Sequence, residues 1–130
     1  MAEQNEPKII WSVKNPYGHD VILKEDTYNN HVINDHNKTD AEFRKKMANS
    51  IPEIIAHPSY IVKDKEHDDR YQYIAPTIIS VDNIQSKIKL ITTFIDTDRN
   101  PHEVVTWFPK KDMTVNKGDV VYEANKGILR

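Results

Sequence analysis

The residues best suited to acid–base chemistry in this sequence are two histidines, His31 and His36, which stand five positions apart. The pKa of an unperturbed imidazole is close to neutral, so either side chain can give or take a proton at physiological pH. On a regular helix this spacing turns the two rings well apart, so the histidines need not share a site. A core or helix-end position without a catalytic task is the alternative for each.

Side chains suited to holding a phosphate occur in two strand-like segments later in the chain. Arg70 begins one of them and Thr106 lies in the other. Because strand side chains alternate between faces, Arg70 and Gln72 are predicted to share a face, and Thr106 is predicted to share one with Val104 and Phe108. An arginine and a hydroxyl on a sheet can bind a phosphate, although both residue types are also ordinary on strands.

The early elements that must position these residues are predicted to be helices. From Asp26 onward a helix is predicted, with Asp26 or Thr27 as the cap, because five side chains have the spacing of one helical face: Tyr28, His31, Val32, Asp35 and His36. Capping-box patterns at 39–42 and 50–53 predict two further helix starts, and Pro58 ends the helical region. An apolar stripe with a spacing of four should face the core; its members are Phe43, Met47 and Ile51.

The strand predictions lie on both sides of these helices. The predicted segments are 8–13, 21–23, 60–62, 70–74, 88–95, 104–108 and 120–122. Together they predict an α+β fold, in which N-terminal short strands and two to three helices pack on a C-terminal antiparallel sheet of about four strands. One domain is expected over 1–130, with a loose leader at 1–7 and a frayed tail at 126–130.

The composition excludes several classes of function. The 130 residues contain no cysteine, which rules out disulfides, thiolate metal sites and a cysteine nucleophile, and which favours a reducing compartment. The N-terminus is polar and no apolar run reaches the roughly 20 residues of a membrane span, so we expect a cytoplasmic protein without a membrane partner. Three glycines and no Gly-x-Ser-x-Gly pattern argue against a phosphate-binding glycine loop and a serine triad.

Charge and histidine spacing bear on the ligands. Lys and Arg number 18 against 20 acidic residues, so the net charge of −2 does not favour nucleic acid. Local basic clusters at 44–46 and at Lys110 and Lys111 could still bind it, with solvated surface charge as the alternative. The six histidines lack the spacing of helical zinc pairs, and we expect no metal and no cofactor.

The order of these segments resembles the phage-type members of the Barnase–EndoU–colicin–RelE (BECR) ribonuclease-like superfamily. In that family a short strand leads into a helix with His-Ile-x-x-Arg-His, to which 31–36 is similar here. A helix with a proline-marked turn and a strand follows, similar to 51–61, and then a basic-aromatic strand similar to 70–73. The final strands end near 104–108, so the resemblance spans about 21–111.

This resemblance implies metal-independent cleavage of RNA, in which the adjacent 2′-hydroxyl attacks the phosphorus and a cyclic phosphate forms. The reaction requires a base, an acid and a group that stabilises the charge on the phosphate. By position, His31 or His36 would transfer the protons. Arg70 would stabilise the phosphate, and Thr106 would hydrogen-bond to it.

The resemblance also implies residues that bind the substrate. Tyr73 or Trp107 would stack on an unpaired base, although packing against the helices is the more ordinary task for Trp107. Lys110 and Lys111 would lie near the RNA backbone. The partners are then an RNA substrate and, if the protein is a phage or prophage toxin rather than an RNA-processing factor, an inhibitory protein.

Two other functions stay open at this point. A catalytically inactive relative that binds a protein is favoured by the acidic net charge and by Asp35, because the family's helix usually has arginine there. A metal-dependent hydrolase built on the histidines is the other alternative. Only that second alternative predicts that a chelator abolishes activity.

Overall fold

The structure is a computed structural model that describes residues 8–29, 44–80, 86–110 and 119–128. Residues 44–47 are helical, and the other elements follow in chain order. They are β1 (Ile9–Lys14), β2 (Asp20–Lys24), α1 (Glu25–Thr27), α2 (Ile51–Ala56), β3 (Tyr60–Lys63), β4 (Arg70–Ser80), β5 (Ser86–Asp96), β6 (His102–Pro109), β7 (Val120–Glu123) and β8 (Gly127–Ile128).

All strands of the described ranges belong to one sheet, in the order β1-β2-β6-β5-β4-β3-β7-β8. The predicted α+β class is confirmed, but the sheet has eight strands instead of about four. It is also mixed, because β2 pairs with β6 in parallel, while the other pairs are antiparallel. Val21, Ile22 and Leu23 of β2 are all buried, as expected for a strand covered on both faces and flanked by two neighbours.

Strand β4 runs to Ser80 and is therefore longer than the predicted segment 70–74. Pro76 is the reason for the short prediction, because proline lacks the N–H that a central strand requires. Strand β3 pairs with β4 only from Tyr71 to Ile74. Beyond Ile74, β4 has β5 on one side and no described strand on the other, so Pro76 occupies an edge position where its missing N–H is tolerated.

A bulge in β6 interrupts the alternation of its side chains. Phe94 of β5 lies opposite Thr106, whereas the next residue, Ile95, lies opposite Val104, so Val105 has no partner of its own. Val104 consequently joins Trp107 in the core. The prediction that Val104 shares a face with Thr106 is wrong for this reason.

Helix α2 packs on one face of the sheet, which we call the helix face. Ile51, Ile54 and Ile55 of α2 are buried there with Met47, which confirms the predicted stripe at Met47 and Ile51. Phe43 and the pattern at 39–42 lie outside the described residues. The helix ends at Ala56 with His57 as its C-cap, which confirms the predicted stop at 57–58.

The helix starts differ in detail from the predicted caps. Ser50 occupies the N-cap position of α2, but its backbone is helical and its side chain makes no capping hydrogen bond, so the capping box does not form. Pro52 lies in the first turn, where a missing N–H costs nothing. Helix α1 begins at Glu25, so neither Asp26 nor Thr27 is its cap.

The C-terminal end also departs from its prediction. Strand β8 pairs with β7, with Tyr122 opposite Ile128 and Glu123 opposite Gly127. Gly127 has a φ of +77°, which suits glycine at the end of this tight turn. The predicted frayed tail is therefore wrong at 127–128, and residues 1–7 lie outside the described ranges. No helix in the described ranges is long and apolar enough to span a membrane.

Replacement of Trp107 by alanine should cost about 3–5 kcal/mol of unfolding free energy, the usual range for a buried tryptophan. The side chain is 0% exposed and its Nε1 donates a hydrogen bond to the Arg44 carbonyl at 3.1 Å. Urea unfolding monitored by circular dichroism measures the change. Ile88→Ala, which alters an exposed side chain, should change the free energy by less than about 0.5 kcal/mol. Equal effects of the two substitutions would contradict the central position of Trp107.

Candidate functional site

The strand register places the predicted phosphate ligands on the face of the sheet that α2 does not cover, which we call the opposite face. Tyr71 and Tyr73 pack with the helix-face core, so Arg70 and Gln72 point to the opposite face, as alternation predicted. Thr106 lies across β5 from Gln72, with Phe94 between them. Arg70 and Thr106 thus share this face.

Arg70 is half-buried, yet its guanidinium makes no hydrogen bond or ion pair to another described residue. Its Nε is inaccessible to solvent and unpartnered. A buried charged donor without a partner is costly and is normally paired. An anion in the cleft that Arg70 lines could instead pair with the rest of the guanidinium, whose planar shape suits phosphate.

Four of the other charged side chains around Arg70 are paired with one another. Arg70 lines a shallow cleft whose other charged side chains are Lys24, Asp26, Asp96, Arg99 and Glu103. Lys24 Nζ lies 3.0 Å from Glu103 Oε2, and Arg99 lies 3.9 Å from both Asp96 and Glu103. Among the described residues that line this cleft, Arg70 is therefore the cation without a carboxylate partner, and Asp26 is the carboxylate without a cation.

Thr106 has a different neighbour, Arg44. The Arg44 Nη1 donates to Thr106 Oγ1 at 3.2 Å and also to the carbonyl of Trp107. Its guanidinium carbon lies 5.4 Å from the centre of the Phe108 ring. Arg44 is only 8% exposed, so the predicted surface cluster at 44–46 is wrong for this residue, whereas Lys45 and Lys46 are exposed.

The structure does not join Arg70 and Thr106 into one pocket. Arg70 lies opposite Asp96, two residues along β5 from Phe94, which lies opposite Thr106. A ligand that touches both must therefore extend over β5. Because Thr106 Oγ1 accepts its hydrogen bond from Arg44, the threonine hydroxyl keeps its own hydrogen for such a ligand.

Two phenylalanines on the opposite face were missed by the sequence interpretation. The rings of Phe94 and Phe108 lie 5.4 Å apart at an angle of 32°, and both side chains are half-buried. Such a pair presents aromatic surface next to Thr106. The signal was available, since each phenylalanine alternates with a residue that packs inward, Thr93 for the first and Trp107 for the second.

The stacking roles predicted for Tyr73 and Trp107 do not fit their positions. Tyr73 is 2% exposed and its hydroxyl accepts a hydrogen bond from Asn15 Nδ2 at 2.9 Å. Trp107 is completely buried against Tyr28, with ring centres 6.1 Å apart. Both rings are enclosed by the helix-face core, so neither offers an open face to a base. The role of the Trp107 side chain is therefore packing in the core.

The remaining predicted residues are placed as follows. Lys110 lines a polar groove on the opposite face with Gln72 and Phe94, and its backbone N–H donates to the Leu90 carbonyl at 2.7 Å. His31, His36 and Lys111 lie outside the described residues. In the described ranges, no group of three or more His, Asp or Glu side chains is arranged to hold a metal ion.

Comparison with known proteins gives one match. A family model described as phage-Barnase-EndoU-ColicinE5/D-RelE like nuclease3 matches residues 1–117. No curated protein and no solved structure matches the chain. Because the family match covers nearly all of the 130 residues, this protein belongs to the phage nuclease family of the Barnase–EndoU–ColicinE5/D–RelE type.

Proposed function

We propose that this protein is a metal-independent endoribonuclease that cuts RNA by attack of the 2′-hydroxyl on the adjacent phosphorus, acting as a phage toxin or RNA-processing factor. The observation that carries this proposal is the guanidinium of Arg70, which has no partner among the described residues, on the sheet of a nuclease-family chain. The nucleophile in this reaction is the 2′-hydroxyl of the RNA itself. The protein then has to supply proton transfer and stabilisation of the phosphate charge.

Arg70 binds the phosphate in this proposal, because no carboxylate in the described part of the chain forms an ion pair with it. The developing negative charge on the phosphate oxygens strengthens this contact in the transition state, which is the condition for an effect on rate. Thr106 donates its hydroxyl hydrogen to the same substrate farther along the opposite face. The two groups together fix the backbone over β5.

His31 and His36 transfer the protons. The residues that flank their segment, Tyr28 and Arg44, both contact Trp107 of β6. The family match covers both histidines, and this supports their assignment.

Phe94 and Phe108 stack on unpaired bases next to the cleaved phosphate. Sequence-tolerant stacking on aromatic side chains is typical of proteins that bind single-stranded RNA. Lys110 lies along the same face and Lys111 follows it in the chain, so both serve the RNA backbone beyond the aromatic pair. Duplex RNA, whose bases are already stacked and paired, is a poor ligand for such a surface.

Substitution of Phe94 by alanine should weaken the binding of single-stranded RNA by about 1–3 kcal/mol, because one stacking surface is lost. Fluorescence anisotropy with a labelled oligonucleotide measures the affinity. Phe94→Tyr keeps the ring and should bind within about twofold of wild type, a difference far below 1 kcal/mol. Ile88→Ala, on the same strand, is the control for loss of an exposed apolar side chain. If Phe94→Ala binds as tightly as the control, the aromatic pair is not the base-binding surface.

The proposed activity is tested by incubation of the purified protein with single-stranded RNA, structured RNA and single-stranded DNA in the presence of a chelator. We expect cleavage of single-stranded RNA and none of DNA, which lacks the 2′-hydroxyl. Cleavage of DNA would exclude the mechanism. Cleavage that occurs without a chelator and is lost when the chelator is added would favour the metal-dependent hydrolase.

A catalytically inactive relative that binds a protein is the second candidate, and one feature of the exposed surface favours it. The edge strand β1 exposes Ile9 and Ile10, both of which are large apolar residues. Exposed apolar side chains on an edge strand are suited to pairing with a strand of another protein. If no RNA is cut, the next experiment is a pull-down with the wild-type protein and with the Ile10→Lys variant. A partner that the wild-type protein captures and the variant does not would establish the binding function.

A further inference from the structure

A separate pocket lies on the helix-face side of the sheet, where the β1–β2 turn, β4 and the β5–β6 turn meet. Its volume is about 300 Å³. The side chains that decide its chemistry are Asn15, Tyr17, His19, Tyr71, Tyr73 and His102. The pocket opens on a different face from that of Arg70, and the proposed cleavage reaction uses none of these six residues.

Asn15 holds the pocket in a fixed shape. Its buried side-chain oxygen accepts hydrogen bonds from the backbone N–H groups of Tyr17 and His19, at 3.0 and 2.9 Å. Its Nδ2 donates to the Tyr73 hydroxyl at 2.9 Å, and the Tyr17 hydroxyl donates to the Val121 carbonyl at 3.3 Å. A rigid site loses little conformational freedom when a ligand binds.

The pocket is lined by apolar, aromatic and polar side chains without a permanent charge. No Lys, Arg, Asp or Glu side chain lines it. Burial and the nearby His19 lower the pKa of His102 from 6.5, although Asp96 opposes the shift, so the His102 imidazole is neutral. Burial raises the pKa of Tyr73 to about 12 and also raises the pKa of Tyr17, so both phenols keep their protons. A phosphate would find no lysine or arginine among these lining groups.

Two lining groups keep hydrogen-bonding capacity for a ligand. The Tyr73 hydroxyl accepts from Asn15, which leaves its own hydrogen to donate. The imidazole of His102 also lines the pocket; because its Nδ1 is inaccessible to solvent, Nε2 is the ring nitrogen that can reach a ligand. His19 and His102 place their rings 5.0 Å apart, so flat aromatic surface lies next to these polar atoms.

We propose that this pocket binds one neutral nucleobase, held by contact with the aromatic rings and by hydrogen bonds to Tyr73 and His102. Small-molecule sites are largely apolar with a few fixed polar groups, and about 300 Å³ is at the small end of their range, enough for one base and its sugar. A base is uncharged and bordered by donors and acceptors, which suits the aromatic and polar side chains of this lining. The base comes either from a free nucleoside or from an unpaired position of an RNA strand.

The binding test is an NMR titration of the isotope-labelled full chain with each of the four ribonucleosides and with a short single-stranded RNA. We expect shifts of the amides at Tyr71, Tyr73 and His102 with at least one nucleoside. His102→Phe keeps a ring of similar size without nitrogen and should raise the dissociation constant about tenfold, and His19→Ala should also weaken binding. His57→Ala removes an exposed histidine elsewhere and is the matched control.

Each outcome decides the proposal. Nucleoside binding that His102→Phe weakens, with no tighter binding of the RNA strand, establishes a site for a free ligand. Tighter binding of the strand, weakened by the same substitution, establishes a subsite for a base within RNA. No shift at these amides with any ligand, in folded wild-type protein, overturns the proposal. Cleavage is measured separately, so an inactive protein that binds nucleosides still supports this pocket.

Discussion

Replacement of Arg70 by alanine is expected to lower the rate of RNA cleavage by about 10²–10³-fold, the usual effect of removing one group that stabilises transition-state charge. This expectation rests on the ion pairs of the side chains around Arg70. Lys24 and Arg99 are tied to carboxylates, while Arg70 has no partner among the described residues. Cleavage of a fluorescent single-stranded RNA under single-turnover conditions measures the change.

Arg99→Ala is the matched control for this experiment. It removes the same charge from the same cleft, but from a guanidinium already paired with Asp96 and Glu103, so we expect less than about a fivefold loss of rate. Arg70→Lys keeps the charge without the planar fork and should give an intermediate rate. Equal effects of Arg70→Ala and Arg99→Ala would show that only net charge matters and would contradict the role of Arg70.

Alanine at His31 or at His36 should lower the rate by about 10²–10⁴-fold, the range for loss of a general acid or base. The two variants need not be equally impaired, because base and acid act on different oxygens. His57→Ala and His67→Ala remove exposed histidines outside the proposed site and should retain full activity. Circular dichroism confirms that the variants are folded.

The rate of the wild-type protein should depend on pH in a bell-shaped curve. Each histidine variant that keeps measurable activity should lack one limb of this curve. If both histidine variants cleave RNA at the wild-type rate, proton transfer by this pair is excluded. A protein that merely binds a partner would tolerate both substitutions. The experiment therefore distinguishes the proposed enzyme from a catalytically inactive relative.

Local patterns in the sequence predicted the identity of most elements. The segments rich in β-branched and aromatic residues are strands, and the apolar stripe that includes Met47 and Ile51 is buried. Pro58 correctly marked the end of the second helix. These features depend on residues that are close in sequence, where side-chain period and proline geometry are decisive.

Pairing between distant strands could not be predicted in this way. Strand β2 joins β6 across about eighty residues, and no local signal specifies that contact or its parallel direction. The bulge that releases Val105 depends on the register of β5 and β6. Pro76 is tolerated only because β3 is too short to flank it. Each of these features is set by tertiary context.

The candidate site was predicted in part. Alternation correctly placed Arg70 and Gln72 on one face, but it cannot say which face is covered, so the buried Tyr73 was assigned a stacking role. The pocket beside Tyr73 was missed for a related reason, since His19 and His102 are far apart in the sequence and meet only through the pairing of β2 with β6.

The most direct test of the central claim is analysis of the ends that cleavage leaves on RNA in the presence of a chelator. Mass spectrometry of the products distinguishes a 2′,3′-cyclic phosphate from a linear phosphate. Attack by the adjacent 2′-hydroxyl predicts cyclic phosphate on the upstream fragment and a free 5′-hydroxyl on the downstream fragment. A 5′-phosphate with a free 3′-hydroxyl would mean that water is the nucleophile and would contradict the proposed mechanism.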